Sequence, residues 1–382
     1  MAQQQGPGRR VVLGAAALGA GAAAWGPAGA AQADDGKSGG RSGRHRLPVP
    51  AVIAHRGASG YRPEHTMGAY ELAHATGADI IEQDVVSTKD GHLVCRHEND
   101  ITGTTDVAEH AEFADRETTK SIDGKELTGW FSEDFTLAEL KTLRAVERLP
   151  DERQHNTLYD GRWQVPTLEE VLRWADRRGR VDGRPVWLHI ETKHPSYFRE
   201  IGLALEKPLA RLLREYGRDH KHAPNFVQSF EPSSIQRLEH LVDCPGVVLL
   251  GGLDSRPWDF VESGDPRTVA DLVSPDGLKW IAGFAKGIGP TLDIVIPKDE
   301  DGALGEPTTL VRDAHAQRLV VHPYTMRNEN TFLPLDFRTG DEPDAYGDAF
   351  GAFRTYFATG IDGLFSDNPD TAVLAAADFR ER

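Results

Sequence analysis

Several residues able to do chemistry stand at the ends of short apolar runs in this 382-residue chain. His55-Arg56-Gly57 closes the run 51–55, and His97 closes the run 93–97. Glu82 and Asp84 lie in the run 79–85, and Glu191 and Lys193 lie at the end of the run 186–191. Residues i and i+2 of an extended strand point to the same face, so each pair enters one space. Three converging carboxylates stay ionised together only around a cation. Ligands that are all oxygen favour a hard divalent ion, Ca²⁺ or Mg²⁺, over zinc. A salt-bridged surface strand is the plainer reading of Glu-x-Asp, but Ile80, Ile81, Val85 and Val86 flank the pair and argue against solvent on both sides. His55 alone would read as a hydrogen-bonded core histidine and Lys193 alone as a solvated lysine. Their joint pattern is the specific signal.

Those residues need elements that bring strand ends together. Candidate strands fall at 51–55, 79–85, 93–97, 186–191, 225–230, 247–251, 319–324 and 361–366. Capped helices alternate with them. Thr167 precedes the stripe Leu168, Val171, Leu172, Ala175 and makes a capping box with Glu170, a device repeated by Thr136 and Glu139. Leu205, Leu209, Leu212 and Tyr216 share another helical face, and Gly77 marks the end of a helix over 67–76. Eight strands alternating with helices over about 330 residues predict an α/β fold, a (β/α)8 TIM-like barrel, with a doubly wound open sheet as the alternative. The segment following the third predicted strand, about 98–132, has no clear period and reads as an insertion beside the barrel mouth.

Composition narrows the function classes. Lys plus Arg number 43 against 59 Asp plus Glu, a formal charge of −16. A nucleic-acid binder needs the opposite balance. The two cysteines, Cys95 and Cys244, are too few for a disulfide scaffold and read as two separate buried thiols; strand parity with His97 would turn Cys95 toward the barrel interior. No amphipathic insertion helix marks a lipid surface.

The stretch AHRGASGYRPEHTMGAYELAHATGADIIEQDVVSTKDGHLVCRHEND resembles the opening of the glycerophosphodiester phosphodiesterase family, most nearly its periplasmic or secreted bacterial branch. Five further blocks follow in the family's order: VPTLEEVL, HIETKHP, FVQSFEP, VVHPYTMR and DGLFSDNPD. The resemblance spans about residues 51–375 and implies a TIM-like barrel. The implied activity is hydrolysis of small glycerophosphodiesters to glycerol 3-phosphate and an alcohol with a bound divalent cation, Ca²⁺ foremost and Mg²⁺ as the alternative. By motif, His55 and His97 resemble the acid/base pair, Glu82, Asp84 and Glu191 the metal ligands, and Arg56 and Lys193 the phosphate contacts. Phe230 and Tyr324, near strand ends, either wall a glycerol subsite or belong to the core. Three positions depart from the family pattern: His97-Glu98 replaces the usual His-Asp, Pro63-Glu64-His65-Thr66 replaces the usual PENT turn, and Tyr324-Thr325 replaces a common Trp-Thr pair. The retained set His55, His97, Glu82, Asp84 and Glu191 argues for an enzyme and against a binding protein that has lost catalysis.

The N-terminus reads as an export signal. Arg9-Arg10 precedes an Ala/Gly/Val/Leu run to about Trp25, Pro27 breaks it, and Ala31-Gln32-Ala33 ends it as a small-residue cleavage site. The arginine pair and the weakly apolar run resemble a Tat signal over 1–33, followed by a flexible Gly/Ser/charged linker over 34–48 and the barrel domain over 49–382. Changing Arg9 and Arg10 together to Lys is expected to stop secretion, measured as protein in the culture medium. Unchanged secretion would assign the segment to the Sec route.

Overall fold

The computed structural model describes residues 47–382; the expected export segment and most of the linker, residues 1–46, lie outside the described residues. In chain order the strands are β1 (Ala51–Ala54), β2 (Ile80–Ser87), β3 (Leu93–Cys95), β4 (Thr118–Ile122), β5 (Lys125–Gly129), β6 (Trp187–Thr192), β7 (Asn225–Ser229), β8 (Gly246–Leu250), β9 (Gly287–Pro290), β10 (Val320–Val321) and β11 (Gly363–Ser366). Eight of them are parallel staves in the order β10-β9-β8-β7-β6-β2-β1-β11. Single hydrogen bonds close the seam between β10 and β11: the Asp362 N–H donates to the Val321 carbonyl at 3.0 Å, and the Phe365 N–H to the Pro323 carbonyl at 3.0 Å. The architecture is the expected barrel.

Period-two alternation sorts the side chains into two layers. Ala51, Ile53, Ile80, Phe226, Val247 and Phe365 form a small inner cluster. Val52, Ala54, Ile81, Leu188, Ile190, Val227, Val248 and Leu364 turn outward into the large cluster that the helices cover. Continuing the inward parity past the ends of the staves reaches His55, Glu82, Asp84, Glu191, Gln228, Phe230 and Asp367. The strands therefore aim the chemistry while their lower halves supply the packing.

Two strand assignments differ from the sequence expectation. The run 93–97 is not a stave: β3 turns back antiparallel on β2, with Val85 opposite Cys95 and Ser87 opposite Leu93, after a turn in which Gly91 takes φ +80°. A parallel stave and a hairpin partner present the same apolar run, so local pattern does not separate them. Cys95 accordingly packs in the outer cluster with Tyr70 instead of inside the barrel, and both thiols are free and buried. The missing stave is β9, whose Gly-Ile-Gly-Pro carries no apolar run. Its inward positions are glycine because the space is taken: a Cβ on Gly287 would lie 2.6 Å from Val320 Cγ2 and 3.0 Å from the Val320 carbonyl.

The insertion thus follows the β2–β3 hairpin and carries its own hairpin, β4–β5, turned at Asp123-Gly124 with φ of +49° and +75°. Paired positive φ values match the twist of a two-residue turn, and Asp-Gly tolerates them. Thr167 and Glu170 form the expected capping box on the helix Leu168–Asp182, whereas the Thr136–Glu139 box starts only a four-residue turn, Leu137–Leu140. Among the described residues no helix is long and apolar enough to cross a membrane. Gly287→Ala is expected to destabilise the barrel by about 1–3 kcal/mol through overpacking against a backbone carbonyl, read as a lower urea midpoint at unchanged slope.

Candidate active site

The mouth of the barrel holds a cavity of about 150 Å³. Of the residues singled out from sequence, His55, Arg56, Glu82, His97, Glu191, Phe230 and Tyr324 line it, joined by Gln228, Thr325 and Arg327. Asp84 and Lys193 contact lining residues, Asp84 Oδ2 lying 3.5 Å from Arg56 Nε and Lys193 Nζ 3.2 Å from His97 Nε2. Sheet register explains the convergence: Asp84 is paired with Glu191, and Glu191 with Gln228, across adjacent staves.

The carboxylates are packed as a cation site would require. Ligand atoms of His65, Glu82 and Asp84 lie within 4.8 Å of one another, all buried. Glu191 belongs to the same cavity, but its Oε1 is engaged by Lys193 Nζ at 2.9 Å. Burial, then the neighbouring Asp84, pushes the Glu82 carboxyl well above its usual range. Burial likewise pushes Glu191 up to about 8. Burial opposes ionisation of Asp84 too, but His65 beside it holds Asp84 well below the usual value. The three acids cannot all ionise at neutral pH by themselves. Asp84 Oδ1 is also buried with no hydrogen-bond partner. An orphaned carboxylate oxygen among crowded acids fits a hard divalent cation.

His65 was missed by sequence reasoning. Its Nε2 meets Asp84 Oδ2 at 2.8 Å and its Nδ1 meets the Tyr70 hydroxyl at 2.9 Å. Since ionised Asp84 accepts only, His65 carries its proton on Nε2 and accepts from Tyr70. That contact makes it the orienter of Asp84. Arg56 stands over the same carboxylates: its N–H donates to Glu82 Oε2 at 2.5 Å, and its Nε lies 3.5 Å from Asp84 Oδ2. The left-handed φ of +59° at Arg56 is what turns its amide toward Glu82.

The two histidines have different supports. His55 Nδ1 meets Asp367 Oδ1 at 2.5 Å, while Asp367 Oδ2 accepts from Arg153 at 2.6 Å and Arg327 at 2.7 Å. Burial opposes the Asp367 charge, yet the two guanidiniums keep its carboxyl well below the ordinary range. His55 therefore holds its proton on Nδ1 and leaves Nε2 as a lone pair. Burial, reinforced by Arg56, lowers His55 to about 4, so the imidazole is neutral at pH 7. His97 lies between Glu98 Oε1, 2.7 Å from Nδ1, and Lys193 Nζ, 3.2 Å from Nε2. Burial, with Arg56 and Lys193, lowers His97 to about 3. Glu98 reaches on to His194 Nε2 at 2.7 Å, and His194 Nδ1 to Asp123 Oδ2 at 2.6 Å. The Glu at position 98 is long enough to bridge two imidazoles.

Phe230 and Tyr324 form an edge-to-face pair with centroids 5.8 Å apart. The Tyr324 hydroxyl donates to the Leu250 carbonyl at 3.0 Å, and Lys193 Nζ lies 5.3 Å from the Phe230 ring centre. Both aromatics wall the cavity. Asp367 was legible by the same alternation as Glu82, since 363, 365 and 367 share the inward face. Arg153 and Arg148 were not, because their contacts cross long stretches of chain: Arg153 bonds Asp367 across 214 residues, and Arg148 Nε bonds Glu64 Oε2 at 2.8 Å across 84, where Glu64 also accepts from Arg56 at 2.9 Å.

Comparison with known proteins places the chain in a family. Residues 55–371 match the model of the glycerophosphoryl diester phosphodiesterase family. The chain is 36% identical over 331 residues to a glycerophosphodiester phosphodiesterase of Arabidopsis thaliana, covering 83% of each chain. It is 28% identical to one of Haemophilus influenzae, covering 84% of this chain and 88% of that protein. Among solved structures, a putative glycerophosphoryl diester phosphodiesterase of Silicibacter pomeroyi aligns with a TM-score of 0.62 at 21% identity, over 88% of this chain and 96% of the other. An Oleispira antarctica phosphodiesterase in complex with the product sn-glycerol-3-phosphate aligns at 0.51 and 20% identity, over 86% and 97%. The extent of the family match and the 36% identity to the Arabidopsis relative over 83% of its length place the chain in the glycerophosphoryl diester phosphodiesterase family.

Proposed function

We propose that the protein hydrolyses small glycerophosphodiesters, the deacylated phospholipids, to glycerol 3-phosphate and an alcohol, using two histidines and a divalent cation, Ca²⁺ foremost. The observation that carries the reading is the pair of differently supported imidazoles, His55 on Asp367 and His97 on Glu98, facing one cavity with the buried carboxylates. Glu82, Asp84 and Glu191 would hold the cation, which supplies Lewis-acid polarisation of a phosphoryl oxygen. The N-terminal signal supports an exported enzyme acting at the cell envelope or outside the cell.

The phosphodiester anion repels an oxygen nucleophile. Arg56 and Lys193 meet that charge, and with three carboxylates, a divalent cation and one diester anion the loaded site is neutral. His55 Nε2, unprotonated and held by Asp367, takes the proton of the glycerol 2-hydroxyl, whose oxygen attacks phosphorus to form a cyclic phosphate. As Lys193 turns to the phosphate it frees His97 Nε2, and the added negative charge favours the imidazolium. His97, steadied by Glu98, then protonates the departing alkoxide. Water opens the cyclic ester with the two roles reversed. Each histidine contributes about 10²–10⁴ in rate by general acid–base catalysis.

Glu82→Gln keeps the side-chain shape and removes one charge. Calorimetric Ca²⁺ affinity and activity are expected to fall together, with partial rescue at high Ca²⁺; full activity of this variant in chelator would refute the cation site. His97→Ala is expected to lose far less activity on the nitrophenyl ester of glycerol phosphate, whose leaving group needs no proton, than on glycerophosphocholine. His55→Ala is expected to lose similar activity on both. Equal losses on both substrates for both variants would show that the roles are not divided.

A further inference from the structure

A second cavity of about 410 Å³ adjoins the first and shares Glu191, Phe230 and Leu249 with it. The tip of the β4–β5 hairpin, through Asp123 and Lys125, and Trp258 both line it. The two approach closely, since a Cβ on Gly124 would lie 2.8 Å from Trp258 ring atoms. Asp123 bonds His194, which bonds Glu98, which holds His97. The space therefore opens on the side of the histidine that protonates the departing alkoxide.

Its lining specifies a class of group. Asp123 Oδ1 is a buried acceptor with no hydrogen-bond partner. Beside it the Lys125 ammonium is exposed and makes no ion pair among the described residues. Glu231, 2% exposed, is held by the Ser196 N–H at 3.1 Å and hydroxyl at 2.5 Å. Phe230 and Trp258 supply apolar faces. A hydroxyl both donates and accepts, so a group bearing several hydroxyls can satisfy neighbouring acceptors and donors together. A quaternary ammonium would meet Lys125, Lys193, His194 and Arg256, and an anion would meet Asp123, Glu191 and Glu231. Either charge meets like charges on the lining.

Resting on the phosphodiesterase reading above, we propose that this cleft is the leaving-group subsite and that it selects diesters whose alcohol is a neutral polyol. The test compares kcat/KM for three esters of glycerol 3-phosphate, those of inositol, choline and methanol, in the full-length Ca²⁺-loaded enzyme and in the variants Lys125→Ala and Trp258→Ala. The methyl ester offers the cleft no hydroxyl beyond the ester oxygen and serves as the reference. Wild type is expected to prefer the inositol ester over both others by about tenfold, the scale of one net hydrogen bond. Each variant is expected to bring inositol and methyl esters within about twofold, through the inositol value alone. Lys125 is exposed on a hairpin, so its variant reports without a folding change. A wild-type preference for choline, equal inositol and methyl values in wild type, or equal slowing of every ester in both variants would overturn the assignment. Hydrolysis of no ester by wild type would instead overturn the phosphodiesterase reading and the subsite with it.

Discussion

Burial of three carboxylates at one end of a narrow barrel is the constraint around which the rest of this structure is arranged. Charges removed from water are tolerated only when paired and hydrogen-bonded. Arg56, Lys193 and His65 meet that demand directly, and Glu64 ties Arg56 to Arg148 one layer further out. The backbone bends to the same need. Among the described residues, four of the five non-glycine residues with left-handed φ, Arg56, His65, Asp123 and His194, belong to the hydrogen-bonded networks of the carboxylates and of His97. Such conformations cost of order 1–3 kcal/mol each and persist where surrounding contacts over-determine them.

The long connection between β3 and β6, of which the insertion is the first part, belongs to the site. Arg153 from its second half bonds Glu329 at 2.8 Å and Asp367 at 2.6 Å, and its Nη1 donates to the Ser59 carbonyl at 3.1 Å. One guanidinium thus links three loops at the mouth and supports the carboxylate that orients His55. Its planar fork suits this role, which a lysine could not fill with comparable geometry. Asp123 reaches the other histidine through His194 and Glu98. Each imidazole is therefore steadied, through intermediaries, by a residue of the same β3–β6 connection.

The contrast between the histidines follows from their partners. Asp367 is locked by two arginines and has one geometry to offer His55. Glu98 is less buried, divided between two imidazoles, and leaves His97 also in reach of Lys193. In the proposed mechanism, the rigid support goes with the histidine that presents a lone pair and the shared support with the one that exchanges partners.

Alternation along single strands was enough to place His55, Glu82, Asp84 and Glu191 on the inner face, because period two is a property of the chain itself. Six ordered motifs carried the family and the barrel with them. Capping boxes at Thr136 and Thr167 located two helical starts, though not their lengths, which packing sets. Partnership was invisible where it crossed the chain. Nothing local separates the hairpin strand β3 from a parallel stave, or shows that Gly287–Pro290 completes the barrel; Gly287 makes sense only against Val320 and Gly289 only against Leu249. Arg153 meets Asp367 across 214 residues, and Asp123 meets His194 across 71. Residue types and spacing determined which groups could hold a cation and move protons, since those are properties of side chains and of strand geometry. Which carboxylate orients which histidine was decided only by closure of the barrel and folding of the insertion over its mouth, because hydrogen bonds select partners by distance in space.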